Sequence, residues 1–226
     1  MILVGELFVD LGMCGRYVNT KIIEDIERKF NIEKMDNHEL SINPSYNISP
    51  TQYSPVIVKN STKRIIKNMY WGLIPSWSKD KKFSSNLINA RLETIKEKPS
   101  FKNLVNTNRC IVIASGYYEW TQTNHGKQPF FIHNNDEFLP MAALWTQWQD
   151  TASFTIITKS ADLSINSIHH RMPLILDDNC IESYLDQNIS FDQSYIISES
   201  FLKYHKVASL VNSPVNNNAS CIDSLN

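Results

Sequence analysis

Residues 109–120 read Arg-Cys-Ile-Val-Ile-Ala-Ser-Gly-Tyr-Tyr-Glu-Trp. The first six form a short apolar run with β-branched residues at its centre, the pattern of a strand buried on both faces. Cys110 lies inside that run and reads as packing rather than as a nucleophile. The run ends at Ser115-Gly116, and Glu119 follows between Tyr118 and Trp120. A carboxylate set among aromatic rings at the end of a core strand is a candidate acid/base group of raised pKa. The same alternation also accommodates a surface glutamate on the outward face of a strand.

Further strands flank this one. Tyr53–Lys59 and Arg64–Trp71 are rich in β-branched and aromatic residues, and the turn Asn60-Ser61-Thr62 between them makes a hairpin. Gln128–His133, Leu139–Thr146, Phe154–Lys159, Leu174–Leu176 and Tyr204–Leu210 add more. Helical spacing of Ile22, Ile23, Ile26 and Phe30 predicts an amphipathic helix over Lys21–Phe30, with Thr20 as its cap. Shorter helices are expected over Pro99–Asn106, Leu163–His169, Asp177–Asp186 and Phe191–Ser200, and the Asn- and Ser-rich tail after Pro214 is expected to be loosely held. No repeat, linker, GxGxxG or Walker loop interrupts this order. The expectation is one α+β domain over residues 13–226, built on an antiparallel, barrel-like sheet, with residues 1–12 as an N-terminal extension.

Composition narrows the function. The chain has 226 residues, 42% of them hydrophobic and 20% charged, and a net charge of -1. Contact with nucleic acid must therefore come from a local basic surface. No apolar run approaches the ~20 residues of a membrane span. Cys14, Cys110, Cys180 and Cys221 form no CxxC pair and have no histidine at zinc-finger spacing, so a structural zinc site is not expected. The spacing suggests no disulfide framework either, which favours a reducing, intracellular setting.

Three further stretches carry chemistry. Met13-Cys14-Gly15-Arg16-Tyr17 becomes an aminothiol if the chain begins at Cys14, with an amine of reference pKa ~7.7–8.0 beside the thiol. Such a pair can condense with an aldehyde and close a thiazolidine ring; a small buried cysteine in a first strand reads the pentapeptide equally well. Residues 72–86 mix Trp77 and Phe83 with Lys79, Lys81 and Lys82, a combination suited to single-stranded nucleic acid, or to a solvated loop. Asn89 offers an amide and Arg91 a planar fork suited to phosphate. Of the adjacent His169 and His170, at most one is expected to serve a site.

Taken together, MCGRY at 13–17, YNISP at 46–50, YWGLIPSW at 70–77, INAR at 88–91, GYYEW at 116–120 and IHHRMP at 168–173 resemble the SRAP family, the SOS-response-associated peptidases that shield abasic sites in DNA. The likeness runs from about residue 13 to Ile222. It implies that Cys14 bonds covalently to the abasic-site aldehyde, that Asn89 positions the sugar remnant, that Glu119 is the acid/base and that His169 is the motif histidine. It implies phosphate contacts from Arg16 and Arg91, and a DNA channel bordered by Asn47, Trp77 and Phe83. It further implies a monomer acting on single-stranded DNA without a cofactor, in the cytoplasm of a bacterium at its nucleoid or in a eukaryotic nucleus, with lyase-like and self-cleaving activity.

The chain departs from that family at its start, because twelve residues and Met13 precede Cys14. The expectation is that the working protein begins at Cys14. Rival readings are an N-terminal-cysteine amidotransferase, a protease using Cys14, His169 and Glu119, and a passive single-strand binder.

Overall fold

The twelve strands of the described residues lie in two antiparallel-rich sheets, one of five and one of seven, that share the run at 109–120 as their junction. The computed structural model describes residues 14–32, 42–82, 84–124, 126–135, 137–192 and 202–225. In chain order the strands are β1 (Tyr17–Asn19), β2 (Ser45–Ile48), β3 (Tyr53–Asn60), β4 (Lys63–Trp71), β5 (Asn89–Arg91) and β6 (Arg109–Ala114). They continue as β7 (Gly116–Thr123), β8 (Gly126–His133), β9 (Leu139–Trp148), β10 (Thr151–Ser160), β11 (Arg171–Pro173) and β12 (Lys203–Lys206). The α-helices are α1 (Ile23–Phe30) and α2 (Asp178–Leu185).

The first sheet has the order β12-β8-β7-β1-β2. In the second, β3, β4, β10, β9 and β6 pair in a ring, because β10 bonds to both β4 and β9. The fold is α+β on a barrel-like, mainly antiparallel sheet. Two pairings depart from antiparallel: β10 runs parallel to β4 and to β5.

Alternation along β6 and β7 separates three apolar layers. Ile111 and Ile113 join Ile26, Phe30, Tyr184 and Leu185 on the helical side of the barrel sheet. Cys110, Val112 and Ala114 point the other way and meet Tyr17, Trp71, Tyr117 and Phe154. Val18, Tyr118 and Phe131, on the far side of the five-stranded sheet, are covered by Val207, Val211 and Cys221. The turn from β6 into β7 works only with glycine. A Cβ on Gly116 would lie 2.4 Å from the Phe131 ring and 2.7 Å from the Ile132 carbonyl oxygen. Gly116→Ala is expected to cost about 1–3 kcal/mol through this overpacking, read as a lowered urea midpoint at unchanged slope.

Several local expectations need correction. Thr20 does not cap α1: Ile22 is the N-cap residue without a side-chain bond, and the Thr20 hydroxyl pairs instead with Ser115 Oγ at 2.9 Å. Residues 99–107 and 163–168 form turns rather than helices. The strand placed at 174–176 lies earlier, at β11, where buried Arg171 needs the pairing with β10. The last strand stops at Lys206, and 209–212 turn into a 3₁₀ segment. The helix expected at Phe191–Ser200 lies mostly outside the described residues, as do Phe83 and residues 1–13.

The tail after Pro214 is tied down, not loose. Asn217 Oδ1 accepts from the Tyr46 N–H at 2.6 Å, His205 Nε2 contacts the Ile222 carbonyl at 2.8 Å, and Cys221 is fully buried. Its polar composition reflects side chains spent on backbone groups rather than on water.

Candidate active site

The site is assembled where β7, β5, the residues before β1 and the loop at 161–170 converge. Tyr117, Glu119 and Thr121 leave the same face of β7, because strand residues two apart share a face. That face meets the loop: Thr121 Oγ1 donates to the Ile168 carbonyl at 3.1 Å. Glu119 is consequently only 4% exposed, so the inward alternative of the two sequence readings is the one adopted. Asn89 opens β5 and donates from Nδ2 to the Cys14 carbonyl at 3.2 Å. Cys14 is fully buried. His169 Nδ1 stands 4.0 Å from Glu119 Oε1, close enough for charge to be felt and too far for a hydrogen bond.

Four of the expected residues, Cys14, Asn89, Glu119 and His169, thus form one cluster, the first three buried and His169 partly exposed at its edge. Its electrostatics suit chemistry on a neutral substrate. Burial pushes the Glu119 carboxyl up to about 8, so it holds a proton at neutral pH. Burial first, and then the neighbouring Glu119, raises the Cys14 thiol well above its ordinary value. The site therefore holds a thiol, not a thiolate. The Arg171 N–H and carbonyl oxygen both sit 3.1 Å from His169 Nδ1. That nitrogen accepts from the N–H when bare and donates to the carbonyl when protonated, so it has a partner in either tautomer. His170 is exposed, its ring 4.4 Å from that of His169.

Polar atoms in this pocket are left open. Among the described residues, Glu119 Oε1, Asn89 Oδ1 and the Tyr117 hydroxyl are buried without a hydrogen-bond partner. Buried unpaired polar groups are rare and costly, and their gathering marks a place where something else completes them. Among the described residues no group of three or more His, Cys, Asp or Glu could hold a metal ion.

Arg16 and Asn47 form an adjoining cluster. Arg16 Nη1 donates to Asn47 Oδ1 at 2.7 Å and to the Val211 carbonyl at 2.9 Å, and the guanidinium lies 5.9 Å from the centre of the Trp120 ring. Asn47 is 1% exposed, and its Nδ2 lies within bonding distance of the carbonyls of Val211, Ser213 and Asn216. Its side chain faces the C-terminal tail. Trp77 is 68% exposed and Arg91 is exposed at the end of β5.

Two buried arginines that sequence reading passed over tie distant segments together, Arg171 beside the site and Arg109 on the helical side of the barrel sheet. Arg171 of the IHHRMP motif is buried and grips Glu93 in a bidentate pair, at 2.6 and 3.0 Å, while also donating to the Thr158 carbonyl at 2.8 Å. This ties the histidine loop to the segment after β5. Arg109 is 1% exposed and donates to the carbonyls of Val105, Tyr184, Asp186 and Ile189, which closes the end of α2 against β6. A cavity of about 270 Å³ among Asn19, Ser45, Gln52, Ser54 and Asn68 contains none of the pocket residues. Among the described residues no helix is long and apolar enough to cross a membrane.

Comparison with known proteins agrees on one family. Residues 13–216 match the family model described as SOS response associated peptidase (SRAP). The abasic site processing protein YoqW of Bacillus subtilis (strain 168) is 34% identical over 225 residues, spanning 94% of this chain and 100% of that protein. The abasic site processing protein HMCES of Gallus gallus is 33% identical over 220 residues, spanning 79% of this chain and 66% of that protein. The crystal structure of a protein from Bacteroides thetaiotaomicron shares the fold, with a TM-score of 0.81 at 23% identity over 94% of this chain and 100% of the other.

Proposed function

The chain belongs to the SOS response associated peptidase family, and from that premise we propose that it captures abasic sites in single-stranded DNA as a covalent adduct on Cys14. The observation that carries this reading is the meeting of buried Cys14, Asn89 and Glu119, with His169 at their edge. An abasic site in its open form presents an aldehyde. The amine of a chain beginning at Cys14 adds to that carbon and gives a carbinolamine. Glu119 delivers its proton to the carbinolamine oxygen, which leaves as water; the carboxylate so formed takes the proton back from nitrogen, and an imine remains. The thiol then adds across the C=N bond, sulfur to carbon and hydrogen to nitrogen, and closes a thiazolidine. One water is lost overall. No thiolate is needed until the imine has formed, in keeping with the high pKa of the buried thiol.

Around this centre, Asn89 orients the sugar remnant and His169 moves protons at the sugar oxygen and during reversal. Trp77, largely exposed, offers a face for stacking a base, while Arg91 and the open side of Arg16 meet phosphates. Asn47 acts at the border of this channel by holding Arg16 and the tail. The acceptor is a strand without metal or organic cofactor, bound by one copy of the chain. Purified protein incubated with abasic single-stranded DNA is expected to give a band that survives denaturation. Its absence, with intact and abasic strands bound alike, overturns the proposal in favour of a passive binder.

A further inference from the structure

The steps above leave one polar group of the pocket idle, the hydroxyl of Tyr117. The residue is fully buried and stands two positions before Glu119 on the same face of β7. Among the described residues its hydroxyl has no hydrogen-bond partner. Other buried tyrosines are treated differently: Tyr17 reaches Ser54 Oγ at 2.5 Å, Tyr118 the Tyr46 carbonyl at 2.7 Å, and Tyr184 the Ala143 carbonyl at 2.8 Å. A buried hydroxyl with no partner is costly, and a phenylalanine would fill the same space without that cost.

The groups that surround Tyr117 say what it could serve. Glu119, Cys14 and, more weakly, Asp162 are near enough to raise its pKa further above the value that burial sets, so it stays an O–H donor throughout the neutral range. The open atom on Asn89 is an acceptor, and the Glu119 proton is spent in expelling water. What the pocket lacks, with these roles filled, is a neutral donor for the aldehyde oxygen while nitrogen attacks. At that moment the C=O π pair becomes an oxygen lone pair and negative charge develops in a buried place, where a fixed donor counts most.

Building on the abasic-site reading, we infer that Tyr117 is a further catalytic residue, whose hydroxyl donates a hydrogen bond to the aldehyde oxygen as the Cys14 amine adds to the carbon. The phenol keeps its proton. It holds the oxygen while one proton passes to it from the attacking nitrogen, and Glu119 supplies the second with which it leaves as water. Tyr117 thus acts on formation of the carbinolamine and Glu119 on its collapse.

Tyr117→Phe tests the assignment in a chain beginning at Cys14, against wild type on the same abasic single-stranded DNA. The first-order rate of adduct formation at saturating DNA is expected to fall about 10²-fold, in line with loss of one oxyanion donor. DNA affinity should be unchanged, the melting temperature equal or higher, and the pH at which the rate declines unaltered, since a phenol that does not titrate sets no limb of that profile. An unchanged rate beside an active wild type overturns the assignment alone. So does a slower rate accompanied by a lower melting temperature, which marks a structural hydroxyl. A wild type that gives no adduct overturns the abasic-site reading itself.

Discussion

Glu119→Gln is expected to slow adduct formation by about 10²–10⁴-fold while leaving DNA binding nearly intact. Glutamine keeps the size of the carboxyl but has no proton to give to the departing oxygen. Because burial raises the Glu119 pKa to about 8, the wild-type rate should decline as the pH rises through that value, and the variant should lack this limb. Stability should also fall as the pH rises, and here the substitution should help rather than harm. A folded-state pKa above the ordinary carboxylate value means that the folded protein binds the proton more tightly than the unfolded chain. The stability this gives is complete at acid pH and is lost as the pH climbs toward about 8, where a buried carboxylate must be ionised. The glutamine variant keeps what wild type loses, so its melting temperature should exceed that of wild type by a margin that grows from acid to neutral pH. Single-turnover time courses and thermal melts at matched pH values check both. A variant that reacts as fast as wild type would return Glu119 to a structural role.

A larger effect is expected at the N-terminus. A chain that retains residues 1–13, verified uncut, should form no heat-stable adduct, whereas one beginning at Cys14 should form it readily. Ring closure needs a primary amine beside the thiol, and a peptide nitrogen is not a nucleophile. The uncut chain can offer only a thiol, itself held well above its ordinary pKa, and a thiol adds to an aldehyde reversibly. Two routes lead to the shorter form. Translation can start at Met13, with the methionine then removed before a small residue, or residues 1–13 can be cut away after synthesis. Intact-mass measurement of the protein purified from its own host distinguishes a terminus at Cys14 from one at Met1. Equal rates of heat-stable adduct from both forms would contradict the amine chemistry.

Much of the frame was legible because periodicity carries it. The run 109–114 is β6 to the residue, the hairpin of β3 and β4 follows its turn, and Asp177 caps α2 through the Asn179 N–H. Glu119 shows where local pattern stops. Alternation permits either face of β7, and only the packing of the 161–170 loop turns that face into an interior. The same long-range packing hides the tail: Asn47 lies some 160 residues upstream of the carbonyls that it binds, and nothing near 211–216 announces it. Arg109 and Arg171 were unreadable for a related reason, since a buried arginine is settled by carbonyls or carboxylates gathered from other segments. The cluster of Cys14, Asn89, Glu119 and His169 was reached through motif resemblance rather than spacing. Tyr117 lay inside one of those motifs, but the lack of a hydrogen-bond partner for its hydroxyl among the described residues is a property of three dimensions alone.

The central claim is a ring made from both nucleophiles of Cys14, and the mass of the adduct tests it most directly. Protein beginning at Cys14 is incubated with abasic single-stranded DNA, heated, and weighed intact. The account requires a species equal to the chain from Cys14 plus the DNA strand less one water, and unchanged by borohydride, which would add two hydrogens to the isomeric open imine. A product with no water lost, an adduct that disappears on heating, or the same adduct from a chain whose N-terminal amine has been blocked would contradict it.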